Sequence, residues 1–358
     1  TGHIATPPGS LDRTFKTGIG ADDSIRCLAL LPDAKMLIGG VFKHYDGSAE
    51  PRMARLQPDG ALDLTFKSTL AGTVSAIVPL GGGKTIAGGE GLLAGHGGRK
   101  VLRLNPDGDV DPSFYGGSYD RNIETLAVQS DGKIIVGGHF VNVSGKRHRG
   151  LLRLTADGRL DDSFNVGAGS SWAVDSVAIQ SNGEILAAGQ FDRFNGRAVG
   201  RLVRLNPDGS FDAGFNDGTG ADAAIWHVQL QKDGKILICG RFNHVNGLPC
   251  DHIARLDADG AVDTAFHASG VGDSLGCMAL QPDGKIVVAG KTTVNGVTRP
   301  FLARLNADGS LDKSFQVTGE TGNGLWQISV QPNRGILVVG RFTSLDGVLC
   351  GNIARLHE

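Results

Sequence analysis

The chain has 358 residues and a nearly balanced charge, with 35 lysines and arginines against 37 aspartates and glutamates. That balance gives no electrostatic basis for binding nucleic acid or an anionic membrane surface. The 55 glycines follow no Gly-X-Y period, which excludes collagen, and no stretch approaches the roughly 18 apolar residues of a membrane span. The chain begins at Thr1 rather than Met, so we expect a processed or excised product from which any signal peptide has gone.

The chain opens with a fragment of a repeat. In the segment from Pro8 to Phe15, an aspartate lies three residues before a phenylalanine, and this spacing recurs along the chain. The phenylalanines are Phe15, Phe66, Phe114, Phe164, Phe215, Phe266 and Phe315. A glycine recurs with the same period, at positions 40, 89, 138, 189, 240, 290 and 340. The pattern indicates seven copies of a unit of about 50 residues, the signature of a repeat architecture.

Each unit contains four short strand signals separated by turn residues. In the fifth copy the predicted strands are Ile225 to Gln231, Lys235 to Gly240, Ile253 to Leu256, and Ala261 to Phe266. Asp-Gly and Asn-Gly between them are hairpin residues, because glycine supplies the positive φ that tight turns require. Four antiparallel strands in each of seven units predict an all-β, seven-bladed β-propeller. A β-solenoid is the structural alternative.

The two ends of the chain complement each other. The N-terminal fragment holds only the fourth strand of a unit, and the segment from Ile353 to Glu358 holds a third strand without a fourth. We therefore expect Leu11–Phe15 to pair with Asn352–Leu356 and close the ring, which removes the exposed edges. On this basis residues 1–358 form a single domain.

Four segments resemble the delta-60 repeat, a bacterial β-propeller repeat family. They are Leu311 to Phe315, Gln281 to Ile286, Gly240 to Gly247, and Ile253 to Leu256. The resemblance covers essentially the whole chain and implies a propeller in a secreted or surface-associated bacterial protein of unassigned activity. The second unit, at Gly88 to Gly98, and the sixth, at Gly290 to Thr293, depart from the pattern in the loop after the second strand.

The repeated residues are predicted to be structural. The phenylalanine is expected to wedge between blades, and the glycine to permit close backbone approach or a bulge. An arginine and an aspartate that flank the tight turn before the fourth strand should meet across it as an ion pair. These predicted pairs are Arg55–Asp63, Arg103–Asp111, Arg153–Asp161, Arg204–Asp212, Arg255–Asp263, Arg304–Asp312 and, across the closure, Arg355–Asp12.

The sequence contains segments that resemble cofactor-binding and metal-binding motifs, but their spacing or their neighbouring residues do not match those motifs. Gly290-Lys291-Thr292 is not a phosphate-binding loop, because no helix can follow it. The ten histidines form no zinc pattern. Asp107, Asp109 and Asp111 permit a calcium site but lack the glycine and glutamate of an EF-hand. No cofactor is therefore expected, with calcium as the open alternative. A single Cys239–Cys250 bridge is possible, but the five cysteines do not identify the compartment.

The units differ most in one face of the ring and at one position of the innermost strand. The loops after the second strand and between blades are long, variable and on one face, where binding sites usually lie. The variable strand position holds Arg26, Ser75, Glu124, Asp175, Trp226, Gly276 and Trp326, each after an apolar residue. Its large residues, Arg26, Glu124, Asp175, Trp226 and Trp326, are predicted to line the channel mouth and bind a polar ligand with an apolar face. Ordinary channel filling is the alternative.

The sequence thus favours a non-catalytic binding or scaffold module, secreted or at the cell surface. A protein or glycan ligand is expected on the long-loop face, with no nucleic acid, no membrane insertion and a monomeric state. One alternative is an enzyme, a lyase or glycosidase with Glu124 and Asp175 as acid and base. Another is a metal-stabilised structural module.

Overall fold

The computed structural model describes residues 6–93, 99–215, 218–268, 270–294, 297–317 and 324–358. These residues form strands and turns, with one short 3-10 turn at Gly81–Gly83 and no α-helix. No helix in this part of the chain is long and apolar enough to span a bilayer.

Seven three-stranded antiparallel sheets follow one another along the chain. The innermost strands are Ile25–Leu30, Val74–Pro79, Ile123–Val128, Val174–Ile179, Ile225–Leu230, Ser274–Leu280 and Leu325–Val330. The middle strands are Met36–Gly40, Thr85–Gly89, Ile134–Gly138, Ile185–Gly189, Ile236–Gly240, Ile286–Val294 and Ile336–Gly340. The outer strands are Met53–Leu56, Val101–Leu104, Leu151–Leu154, Leu202–Leu205, Ile253–Leu256, Val297–Leu305 and Ile353–Leu356. We number the units 1 to 7 in this order.

The innermost strands lie side by side in chain order, and the strand of unit 7 lies next to that of unit 1. Side chains connect neighbouring innermost strands. The Gln327 amide accepts a hydrogen bond from Leu28 N at 2.7 Å and donates one to Leu28 O at 2.9 Å. Likewise, Ser176 Oγ accepts from Val228 N at 3.1 Å. Seven sheets arranged in this way form a β-propeller, so the predicted all-β fold with seven repeats is confirmed.

The predicted fourth strand is much shorter than expected. In each unit it is a single antiparallel bridge to the end of the outer strand, such as Leu256 to Val262. The reason is local, since the aspartate that follows the bridge ends the extended segment. Asp263 Oδ1 accepts a hydrogen bond from Ala265 N at 3.0 Å, and Phe266 N donates to Asp263 O at 3.2 Å. Aspartate favours this type of turn because its side chain can bond the backbone two residues on.

The N-terminal segment provides the equivalent bridge for unit 7. Leu11 pairs antiparallel with Leu356. Gly9 N donates to His357 O at 2.9 Å, His357 N to Ser10 O at 2.9 Å, and Asp12 N to Arg355 O at 2.8 Å. Residues 9–12 therefore lie against the end of the last outer strand.

Every innermost strand carries a β-bulge near its start, directly after its first residue in six units and after its second residue, Leu275, in unit 6. In unit 1, Ile25 pairs with Gly40 and Cys27 pairs with Gly39, which leaves Arg26 as the extra residue. A Cβ on Gly40 would overlap the carbonyl oxygen of Ser24, and the equivalent glycines of the other units face the same obstacle. The prediction that the repeated glycine permits close backbone approach is confirmed.

The long loop between middle and outer strands forms a small hairpin in five units. These hairpins are His44–Tyr45 with Ser48–Ala49, Asn142–Val143 with Lys146–Arg147, Arg193–Phe194 with Arg197–Ala198, His244–Val245 with Leu248–Pro249, and Ser344–Leu345 with Val348–Leu349. In unit 6 the middle and outer strands instead run continuously for nine residues each. In unit 2 the divergent loop includes residues 94–98, which are outside the described residues, as are 295–296 and 318–323.

The hydrophobic core lies between neighbouring sheets. Phe114 is 2% exposed and packs with Val101 of unit 2 and Ile134 of unit 3. Phe15 packs with Ile25 of unit 1 and Ile353 of unit 7. The repeated phenylalanine is a wedge between blades, as predicted.

Candidate functional site

The seven bulge residues hold the positions that the sequence marks as variable. Bulges turn a side chain away from its normal place in the sheet. The apolar residue before each bulge is 0–8% exposed, whereas the bulge residues are half-buried or exposed: Arg26, Ser75, Glu124, Asp175, Trp226, Gly276 and Trp326. The bulge therefore separates a packing side chain from a more accessible one, and we refer to the surface formed by the seven bulge residues as the mouth.

A second set of variable residues, which the sequence reasoning missed, lies beside the first. It occupies the position directly after each repeated glycine: Val41, Glu90, His139, Gln190, Arg241, Lys291 and Arg341. In six units the backbone N–H of this residue donates to the carbonyl just before the innermost strand, as His139 N does to Asn122 O at 3.0 Å. The sequence did contain a signal for these residues. They vary among the units, although the glycine directly before them is the same in all seven.

Units 2 to 4 form an acidic side of the mouth. Glu124 Oε1 lies 3.7 Å from His139 Nε2, and Gln190 Nε2 donates to Asp175 Oδ2 at 3.0 Å. The pKa of Asp175 is raised to about 7, mainly by burial. The charge of Glu124 adds to this rise, and the hydrogen bond from Gln190 opposes it. Burial also raises the pKa of Glu124, while His139 and Arg26 oppose that rise and Glu90 adds to it. The two predicted carboxylates therefore influence each other's charge.

Units 5 and 6 form a basic side with an indole. Trp226 lines a cavity of about 440 Å³ together with Arg241, Lys291 and Asp273. Gly276, the bulge residue of unit 6, also lines the cavity, and its missing side chain leaves the space open. An apolar ring beside two cations suits a ligand with an apolar face and an acidic or hydrogen-bonding group.

Units 7 and 1 meet at the mouth through a cation–π contact. The Arg26 guanidinium lies 5.1 Å from the centre of the Trp326 ring, and Trp326 is 48% exposed. Arg26 Nε is buried and has no hydrogen-bond partner. The structure thus pairs Arg26 with Trp326, places Glu124 and Asp175 on the acidic side, and places Trp226 in the basic cavity.

The repeated arginines and aspartates lie elsewhere, beside the short turns. Each arginine Nε lies 2.6–2.8 Å from the Oδ2 of its aspartate: Arg55–Asp63, Arg103–Asp111, Arg153–Asp161, Arg204–Asp212, Arg255–Asp263, Arg304–Asp312 and Arg355–Asp12. Each guanidinium also stacks on the phenylalanine of its unit, as Arg153 does on Phe164 at 4.7 Å.

Most of these arginines also bind the next unit. Arg153 Nη1, for example, donates to the Pro207 carbonyl, and Arg355 Nη1 donates to the Pro58 carbonyl of unit 1 at 2.8 Å. Burial alone would raise the pKa of Asp161, but hydrogen bonds from Ser163, Lys133 and Arg153 outweigh it and hold that pKa below its usual range. These clusters connect neighbouring blades.

Asp111, one of the three aspartates of the predicted calcium site, belongs to one of these clusters. Asp111 Oδ2 accepts hydrogen bonds from Lys84 Nζ at 2.7 Å and Arg103 Nε at 2.8 Å. Two cations on the carboxylate oppose a divalent ion there. Among the described residues, no group of three or more acidic, histidine or cysteine side chains has the geometry of a metal site.

The cysteines are all free thiols, including Cys239 and Cys250. Burial raises the pKa of Cys250 to about 12, and nearby Asp222 and Asp251 add to the rise. At neutral pH these thiols are therefore protonated and poor nucleophiles.

The fold and these side chains together define a propeller of seven repeats whose variable polar residues lie at the bulges of the innermost strands. The family model described as "Domain of unknown function (DUF5122) beta-propeller" matches residues 31–66, 83–114, 129–164, 180–215, 231–266, 281–315 and 331–358. The chain belongs to this family. No curated protein matches the sequence.

Solved structures share the fold at low sequence identity. The WD40 propeller domain of Doa1 matches with a TM-score of 0.61 at 16% identity, covering 97% of this chain and 95% of that one. The extracellular domain of a hybrid two-component system from B. thetaiotaomicron matches with a TM-score of 0.61 at 12% identity, over 96% of this chain. This chain covers only 39% of that domain. YCF48, solved bound to a D1 peptide, matches with a TM-score of 0.51 at 12% identity, covering 98% of this chain and 97% of that chain.

Proposed function

We propose that this propeller is a non-catalytic binding module that takes a protein or glycan ligand at its channel mouth. The observation that carries the proposal is a contrast within each blade, between the residues at its short turns, which repeat, and the residues near its innermost-strand bulge, which vary. The arginine–aspartate clusters repeat in all seven units, whereas the bulge residues and the residues after the glycines differ from unit to unit. Function in a repeat protein belongs where the copies differ.

The charges at the mouth favour a ligand held in one orientation. Glu90, Glu124 and Asp175 lie on one side, and Arg241, Lys291 and Arg341 follow on the other. The cavity beside Trp226 has about 440 Å³, which is within the roughly 300–1,000 Å³ range of small-ligand sites. A sugar ring or an aromatic side chain could pack on the indole while its polar groups meet the cations.

A glycan array and a peptide array, each probed with wild-type protein and variants, test this proposal. Trp226→Ala and Arg241→Gln should weaken binding at least tenfold, because they remove the stacking surface and a cation of the cavity. Arg193→Gln, an exposed residue on the small hairpin of unit 4, is the matched control and should leave binding unchanged. The proposal would be contradicted by a ligand whose affinity is unchanged in Trp226→Ala and Arg241→Gln, or by one that binds on the short-turn side.

The acidic side gives the enzyme alternative one specific observation. Asp175, with a pKa of about 7, could give up a proton near neutral pH beside the carboxylate of Glu124. If the protein is a lyase or glycosidase, Glu124→Gln and Asp175→Asn should each abolish turnover. In a binding module the same variants should only change affinity.

Asp175 also makes a prediction for stability. Its folded pKa is raised above the unfolded value, so its ionisation penalises the fold increasingly as pH rises from about 4 to about 7. Asp175→Asn should therefore stabilise the protein by about 4 kcal/mol at pH 8 and by less than about 1 kcal/mol near pH 4. Urea unfolding at both pH values measures this difference. Asp162→Asn, whose side chain is 75% exposed, serves as the control. Equal stability of Asp175→Asn and wild type at pH 8 would contradict the prediction.

We further propose that residues 1–358 form one domain whose seven units close into a ring. The outermost element of each blade, reduced to a bridge and turn, then counts as its fourth strand. The contact of Leu11 with Leu356 and the neighbouring innermost strands of units 1 and 7 support this proposal. We also propose that the module is a monomer without a cofactor, and that it acts outside the cell or on its surface.

A further inference from the structure

A second pocket lies on the long-loop face between units 3 and 4, and it is separate from the Trp226 cavity. It has a volume of about 140 Å³, and its lining includes Arg121, His139, Arg149, Ser170 and Trp172. One water needs roughly 10–15 Å³ on the same measure. The pocket therefore has room for an acidic group together with the carbon atoms that carry it.

The two arginines of this pocket are not neutralised by a neighbouring group. Neither the Arg121 nor the Arg149 guanidinium has an ion-pair or hydrogen-bond partner among the residues that the structure describes. By contrast, each of the seven repeated arginines binds an aspartate. Two unpaired guanidinium groups in one concave site favour an anion, since guanidinium binds carboxylate and sulfate oxygens in a planar, two-bond geometry.

The nearby acids are engaged in other contacts. Asp120 accepts hydrogen bonds from Val141 N and Asn142 N at 2.9 and 3.1 Å. Asp192 accepts one from Ser171 Oγ at 2.8 Å. Glu124 lies on the mouth side of His139, at 3.7 Å. None of these three acids lines the pocket, so its lining carries the two guanidinium charges and no carboxylate.

The pocket also presents an apolar wall that is held in place. Trp172 is 57% exposed, which is unusual for the largest side chain in a protein with few aromatic residues. Ser170 Oγ donates to the Trp172 carbonyl at 2.6 Å, and Ser170 N donates to Arg149 O at 3.2 Å. The backbone that carries the indole is thus fixed against unit 3, and the site is formed without a ligand.

No other described unit combines these residues. The positions equivalent to Arg121 and Trp172 hold Asp23, Gly72, Ala223 and Asp273 in units 1, 2, 5 and 6. The positions equivalent to Arg149 hold Pro51, Arg99, Gly200, Asp251 and Gly351 in units 1, 2, 4, 5 and 7. The pocket is therefore a feature of one blade interface and not of the repeat.

We propose that this pocket binds an acidic sugar residue. Its carboxylate or sulfate is held by Arg121 and Arg149, and one face of its ring packs on the Trp172 indole. Sugars fit this site because they join a flat face of C–H groups to polar substituents, whereas a bare anion would leave the indole unused. The proposal does not depend on a ligand at the channel mouth.

Tryptophan fluorescence provides the test. The chain has three tryptophans, so the double variant Trp226→Phe/Trp326→Phe leaves Trp172 as the only reporter. In this background we expect a tetramer of galacturonate or a sulfated chondroitin tetrasaccharide to change the emission saturably, and neutral maltotetraose to have no effect. The stronger of the two acidic sugars identifies the acidic group.

Adding Arg121→Gln/Arg149→Gln to this background should weaken binding of the acidic sugar at least tenfold. Arg147→Gln/Arg193→Gln, at two exposed hairpin residues outside the pocket lining, removes the same number of charges and should change it less than twofold. Circular dichroism of each variant checks folding.

Three results would overturn the proposal: no saturable response to either acidic sugar, an equal response to maltotetraose, or binding that survives loss of both arginines. Inorganic phosphate that competes with the same affinity as the sugar would show an ion site and overturn it too. If Trp226→Ala and Arg241→Gln do not weaken binding in the array experiment, the fluorescence test of this pocket still stands. The two proposals can therefore be rejected independently.

Discussion

Replacing Arg153 by methionine should destabilise the fold by about 3–5 kcal/mol, mostly because Asp161 is then left buried with one cation fewer. The Arg153 side chain is only 6% exposed, and that of Asp161 is 9% exposed. The substitution removes the 2.8 Å ion pair, the hydrogen bond to unit 4 through the Pro207 carbonyl, and the stacking on Phe164. Urea unfolding at pH 7 measures the loss.

Arg159→Met is the matched control. Arg159 pairs with Asp157 in the adjacent turn, but its side chain is 72% exposed, and exposed pairs contribute only about 0–1 kcal/mol. A loss below 1 kcal/mol for Arg153→Met would show that the repeated clusters do not stabilise the blades.

The pH dependence of this loss provides an independent check. The pKa of Asp161 lies below its usual range in the folded protein, so its contribution is present above the unfolded pKa of about 4 and declines as pH falls below it. The difference between wild type and Arg153→Met should therefore be largest at neutral pH and smaller near pH 3. A difference that stays the same from pH 7 to pH 3 would assign the effect to packing and not to charge.

The sequence predicted best what is repeated and local. Arg204 and Asp212 flank one tight turn, so strand geometry alone brings them together, and their atoms lie 2.7 Å apart. The fourth strand was overestimated although its signal was local. The aspartate at its centre, Asp263 in unit 5, turns the backbone after one bridge residue, but the alternation of apolar residues around it looks like a full strand.

Contacts among the variable residues could not be read from the sequence. His139 meets Glu124 because a middle strand places the residue after its glycine beside the bulge of the neighbouring innermost strand. Arg26 meets Trp326 although 300 positions separate them in the numbering, since the first and last units are neighbours. Comparison of the units identified which positions vary, but only the arrangement around the channel determines which of them share a cavity.

Deleting residues 1–16 should cost about 5 kcal/mol or more, because this segment supplies unit 7 with the contacts that other units receive from the chain after their outer strand. Phe15 is 8% exposed between units 1 and 7, and burial of such a ring contributes about 1.5–3 kcal/mol. The deletion also strands Arg355, which loses its 2.7 Å contact with Asp12, at a further cost of about 1–3 kcal/mol. Thermal unfolding should show the loss as a lower Tm.

Addition of the missing segment as a peptide separates ring closure from general damage to the fold. A peptide of residues 6–17 should raise the Tm of the truncated protein saturably, because Leu11 can again pair with Leu356 and Asp12 with Arg355. The same peptide with Phe15→Ala should raise it much less, since the wedge between units 1 and 7 is missing. An unchanged Tm after truncation, or equal rescue by both peptides, would show that the N-terminal segment does not close the propeller. Rescue by the wild-type peptide alone would show that ring closure is stabilised by the same phenylalanine, arginine and aspartate contacts that join every other pair of blades.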